Sequence, residues 1–148
     1  MTGNAIHILL VEDNVDHAEL LLRNLESLAL PVRLHVVEDG ETALDYVFGR
    51  HDYSDRAQFP PPALVLLDWR LPRLDGVEVL RHVKTHPATA TLPVVVLTSS
   101  DTENDVDTAI KLRADKFLTK PADGSVLMQL LGELGFSTAA KTARTHAR

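Results

Sequence analysis

Ala63-Leu64-Val65-Leu66-Leu67-Asp68 is the stretch that decides the fold. Its five apolar residues are too few for a helix, and they leave no polar face. A strand that is apolar on both sides belongs to a sheet covered on both sides, which is the habit of parallel sheets. The same pattern recurs in Pro93-Val94-Val95-Val96-Leu97, and shorter or more mixed apolar runs occupy 6–11, 32–37 and 116–119. Several are rich in β-branched residues, so all five read as strands.

Between and after them the apolar period becomes helical: Val15, Ala18, Leu22 and Leu25; Ala43, Leu44, Val47 and Phe48; Val77, Leu80 and Val83; Val106, Ala109 and Ile110; Val126, Leu127, Leu130, Leu131 and Leu134. Five strands alternating with five amphipathic helices give an α/β class fold, a doubly wound five-stranded parallel sheet flanked by five helices, because parallel neighbours need right-handed crossovers. Asn14 is placed to cap the first helix, Thr102 and Asp105 resemble a capping box, and His86-Pro87 stops the third helix. The polar stretch 49–62 is long for a crossover and ends in Phe59-Pro60-Pro61-Pro62, an extended path. A surface insertion and a partner contact are both open readings of it.

The 148 residues match one domain, read as 1–136, followed by a basic, flexible tail at 137–148. Fifteen Lys and Arg against 21 Asp and Glu leave a net charge of −6, which gives no electrostatic drive toward nucleic acid. Cysteine is absent, excluding disulfides and thiolate chemistry. No apolar run reaches the length of a membrane span and no leader pattern opens the chain, so a cytoplasmic protein is expected. The seven histidines have no metal-ligand spacing and read as surface residues.

Ligands of open parallel sheets bind at the carboxyl ends of the strands. There the sequence places Glu12 and Asp13 after the first strand, Asp68 at the end of the third, Thr98 and Ser99 at the end of the fourth, and Lys120-Pro121 after the fifth. Taken singly, each has an ordinary explanation as helix-end charge, turn residue, capping hydroxyl or solvated lysine. Together they are far more specific. Two like charges about 4 Å apart repel by about 4 kcal/mol at an effective dielectric of 20, so three carboxylates need counter-charge. Lys120 supplies one unit, and a hard divalent cation with oxygen ligands, magnesium above all, suits the rest. Asp68 would then be a nucleophile toward a phosphoryl donor.

These residues carry a resemblance. Leu10-Val11-Glu12-Asp13-Asn14, Leu67-Asp68-Trp69-Arg70-Leu71-Pro72 with Asp75-Gly76, Leu97-Thr98-Ser99 and Phe117-Leu118-Thr119-Lys120-Pro121 resemble the receiver domain of two-component response regulators over about residues 5–135. The resemblance implies a flavodoxin-like receiver fold with Asp68 as phosphoacceptor. It implies Mg2+ held by Glu12, Asp13, Asp68 and the main-chain carbonyl of Arg70, and phosphoryl binding by Thr98 and Lys120. Thr98 and Phe117 would form the switch, and Lys120-Pro121 would be a cis peptide. Arg70 and Ser100 stand where relatives tune phosphoryl lifetime, and Arg113-Ala114 stands where a glycine often precedes the alanine.

The long loop and the short chain beyond the fifth helix resemble small regulators paired with bacterial phytochrome kinases. The expected function is therefore a stand-alone regulator, not an enzyme, that takes a phosphoryl group from a histidine kinase. A homodimer through helix four, strand five and helix five is expected, since helix five carries more apolar positions than one buried stripe needs. Two alternatives remain: a degenerate, phosphorylation-independent receiver-like binding module, and an aspartate-nucleophile phosphatase. Against the second, the place of the general acid two residues after Asp68 holds Arg70, which cannot donate a proton at neutral pH.

Overall fold

The computed structural model describes residues 5–99 and 103–136. The chain runs β1 (Ile6–Val11), α1 (Val15–Glu26), β2 (Val32–Val37), α2 (Gly40–Phe48), a 3-10 turn at His51–Tyr53, β3 (Leu64–Asp68), α3 (Gly76–Thr85), β4 (Val94–Thr98), α4 (Glu103–Lys111), β5 (Lys116–Thr119) and α5 (Gly124–Glu133). All pairings are parallel, in the order β2-β1-β3-β4-β5. Strands three and four each sit one residue later than the sequence suggested. Pro93 has no N–H for the ladder but its carbonyl accepts from Val65, so regular pairing of β4 begins at Val94. Asp68 and Thr98 thereby become the last residues of their strands.

Alternation along the strands divides the core. Leu9, Val11, Val65, Leu67, Val94 and Val96 pack with residues of α2, α3 and α4, whereas Ile8, Leu10, Leu64, Leu66, Val95 and Leu97 pack with residues of α1 and α5. Both faces of β3 and β4 are buried throughout, which is why their sequences show no polar alternation. Asn14 caps α1 by accepting from the His17 N–H at 3.0 Å, and α3 stops at His86 ahead of Pro87. Thr102, Ser100 and the segment 137–148 lie outside the described residues.

Three expectations need adjustment. The apolar surplus of α5 is largely consumed within the chain: Leu127, Leu130 and Leu131 are buried, Met128 and Leu134 pack against the same core, and Val126 is exposed. Two histidines are not surface residues, since His7 and His35 are half-buried and stacked, with Nδ1 and Nε2 3.0 Å apart. The 49–62 stretch is also packed: the Arg56 guanidinium donates to the carbonyls of Tyr46, Val47 and Phe59, satisfying the end of α2. Tyr53 and Phe59 then close over the ring of Tyr46.

Candidate functional site

β1 lies between β2 and β3, so the chain leaves it in one direction and returns on the other side. The carboxyl ends of β1 and β3 border the crevice at this topological switch point. Glu12 and Asp13 follow β1 and Asp68 ends β3, and one carboxylate oxygen from each lies within 4.8 Å of the others. Glu12 and Asp68 are buried, and Asp13 is exposed.

Lys120, delivered by β5 and followed by a cis peptide to Pro121, is the cation of this group. Its ammonium pairs with Glu12, lies 3.5 Å from Asp68 Oδ2 and donates to His17 Nδ1 at 3.1 Å. Burial, then the neighbouring Glu12 charge, pushes the Asp68 carboxyl up to about 6, with Lys120 acting in the opposite direction. One ammonium among three carboxylates leaves the cluster short of positive charge. Oxygen-only ligands with that deficit fit a hard divalent cation.

The loop after Asp68 is clamped on both sides. Gly76 is required at its far end, because a Cβ there would fall 2.6 Å from the Asp68 carbonyl oxygen. Arg73 pairs with Asp39 at 3.5 Å and Glu41 at 2.9 Å, holding the loop to the start of α2. Arg70 reaches the other way and bonds Asp105 of α4 at 3.2 Å, while Trp69 is buried between. Thr98 is buried two residues beyond Val96, so both belong to the face that α4 covers. Phe117 pairs in register with Val96 and packs into that same cluster. The hydroxyl and the aromatic ring expected to cooperate thus share one sheet face.

Beside Lys120 a cleft of about 350 Å³ opens between α1 and the segment after β5, lined among others by Glu12, His17, Asn24, Ser99 and Pro121. Asn24 Nδ2 donates to the Ala122 carbonyl at 2.9 Å, fastening that segment to α1. His17, Asn24 and Asp105 escaped the sequence reading as members of this neighbourhood. His17 alone left a trace, as an imidazole on the first turn of a helix that starts beside the acids.

Comparison with known proteins agrees with this geometry. The response regulator receiver domain model matches residues 8–132. Response regulator Rcp1 of Synechocystis is 37% identical over 113 residues, covering 76% of this chain and 75% of its own. The Mn(2+)-bound form of Rcp1 superposes with a TM-score of 0.77 over 89% of this chain and 95% of that one, at 32% identity. The bacteriophytochrome response regulator AtBRR gives 0.80 at 39% identity over 90% and 94% of the two chains. The phosphorylated cyanobacterial phytochrome response regulator RcpA gives 0.76 at 34% identity over 88% and 91%. With a family match across nearly the whole sheet and the acidic cluster at its switch point, this chain belongs to the response regulator receiver domain family.

Proposed function

We propose that Asp68 accepts a phosphoryl group from a phosphohistidine of a histidine kinase and that the chain signals through the resulting change of shape, without turning over a substrate. The observation that carries this is a buried carboxylate, Asp68, at the centre of a strand-end cluster of two further acids and one lysine. An Asp68 oxygen attacks phosphorus as the phosphorus–nitrogen bond to the kinase imidazole breaks, and the imidazole leaves with that electron pair. Glu12, Asp13, Asp68 and the Arg70 carbonyl would hold Mg2+, which supplies the charge neutralisation that three carboxylates lack. Lys120 would neutralise the incoming oxygens as well, and the Thr98 hydroxyl would bind one of them.

Drawing Thr98 toward the phosphoryl group frees space beside Phe117 under α4, so the surface of α4, β5 and α5 is where signal would emerge. A homodimer through that surface is supported by three features: β5 is an edge strand, Ile110 of α4 is exposed, and Val126 is the part of the α5 apolar set left exposed. The resemblance to Rcp1, RcpA and AtBRR makes a bacteriophytochrome the first kinase to try. The protein is expected to work in the cytoplasm without nucleic acid, and no described helix is long and apolar enough to cross a membrane.

Incubation with a phosphorylated bacteriophytochrome kinase carrying labelled phosphate, with magnesium, should move label to wild type. Asp68→Asn and chelated wild type should take none. Label on Asp68→Asn would end the proposal. Unlabelled, kinase-binding wild type would favour the phosphorylation-independent module. Beryllofluoride should raise the sedimentation coefficient at micromolar concentration, whereas a monomer with and without it would end the dimer.

A further inference from the structure

An ammonium has three protons to give, and those of Lys120 have three acceptors around them: Glu12, Asp68 and His17 Nδ1. Two are acids that the phosphoryl chemistry itself engages, and the third is a neutral ring nitrogen 3.1 Å away. We infer that His17 is a positioning residue for phosphoryl transfer, holding Lys120 toward the acceptor; this rests on the function proposed above.

The ring can only accept in this contact, so its proton sits on Nε2 and Nδ1 faces the ammonium. Its place is fixed by the backbone, because the His17 N–H is the donor that Asn14 caps and the residue belongs to the first turn of α1. The same helix is tied near its other end to the segment after the lysine by the Asn24 to Ala122 bond. The side chain is nearly half exposed, at 45%, so little core packing depends on it. Its chemistry suits the task. A carboxylate at this point would add a fourth negative charge where an anion must arrive, and an aliphatic side chain would leave the ammonium with only Glu12 and Asp68 as partners. A neutral acceptor keeps one proton of Lys120 occupied without drawing its charge away from the incoming oxygens. When Glu12 and Asp68 take up their roles in transfer, His17 is the partner that stays.

The test uses acetyl phosphate as donor, so that binding of a kinase plays no part, and reads incorporation by intact mass and by fluorescence of Trp69, the single tryptophan, next to Asp68. His17→Leu keeps the bulk and removes the acceptor, and His17→Asn puts an oxygen near the place of Nδ1. His17→Leu should be phosphorylated about fivefold to tenfold more slowly, and His17→Asn should stay within about twofold of wild type. In a Lys120→Ala background, His17→Leu should cost no further rate, because the effect passes through the lysine. An unchanged rate for His17→Leu would overturn the inference, as would equal losses in both variants or losses that multiply across the two backgrounds. Should wild type itself take no phosphoryl group on Asp68, the proposed function fails first and the inference with it.

Discussion

β5 carries a lysine–carboxylate contact at each end, and the two ends behave as opposites. Before the strand, Asp115 meets Lys84 of α3, a buried lysine whose ammonium donates to Asp115 Oδ2 and the Leu92 carbonyl at 2.8 Å each and to the Ala90 carbonyl at 3.4 Å. The same Asp115 oxygen accepts from the Val94 N–H at 2.7 Å. One charge faces one charge and all three ammonium protons are placed, so this end is a staple joining α3, β4 and β5. After the strand, Lys120 faces Glu12 and Asp68 with Asp13 beside them, an excess of negative charge that folding does not resolve. Charge balance, more than burial, separates the structural pair from the site.

The largest expected effect comes from unbalancing the staple. Asp115→Ala leaves a buried ammonium with carbonyls alone and should lower the unfolding free energy by about 3 kcal/mol in urea titrations. A loss under about 1 kcal/mol, the range of exposed pairs, would break the comparison at this end.

At the other end, removal of a charge should stabilise. Folding raises the Asp68 carboxyl from 3.8 to about 6, so the fold disfavours its ionised form. That penalty is complete above about pH 6, declines as pH falls through it, and is absent below 3.8. With chelator present, Asp68→Asn should therefore be more stable than wild type by about 1 to 3 kcal/mol at pH 7.5, with the gain vanishing near pH 3.5. Destabilisation at pH 7.5 would show the cluster to be balanced after all. Saturating magnesium should raise the melting temperature of wild type, by a gain of about 1 to 2 kcal/mol, and should raise that of Asp68→Asn far less.

The smallest effect sharpens the picture of the staple's turn. Arg113 takes φ +68°, the left-handed conformation that glycine would adopt in the turn leading to Asp115, and among the described residues its guanidinium makes a 3.4 Å bond to the Lys84 carbonyl. Arg113→Gly should gain about 0.5 kcal/mol, because relief of the side-chain strain slightly exceeds the added freedom of the unfolded chain. A loss in thermal melts would mean that the guanidinium bond matters more than the strain.

Of these two ends, the sequence displayed one. Glu12, Asp13, Asp68, Thr98 and Lys120 stand at strand termini, so identifying the strands was enough to bring them together. Lys84 and Asp115 offered no such signal: Lys84 lies in the last turn of a helix, where lysines are common, and nothing local says that a β-strand turn will bury it. His17 was hidden in the same way, since its contact with Lys120 spans 103 positions. The loop at 49–62 was legible as irregular, because three prolines rule out helix, yet its anchoring through Arg56 to the carbonyls of α2 was not.

What the amino-acid order determined by itself is whatever depends on neighbours along the chain. The doubly apolar strands, the helical periods, the Asn14 cap and the stop before Pro87 all follow from local geometry and solvation. Only the tertiary structure decided which distant groups meet. It set the strand order, the two clamps on the loop after Asp68, the His7–His35 stack, the use of α5's apolar residues inside the chain, and the unequal company of Lys84 and Lys120. The physical reason is that a strand or helix is specified by periods of two or 3.6 residues, which a sequence displays. A charge's energy is specified by what surrounds it in space, and that exists only once the sheet has assembled.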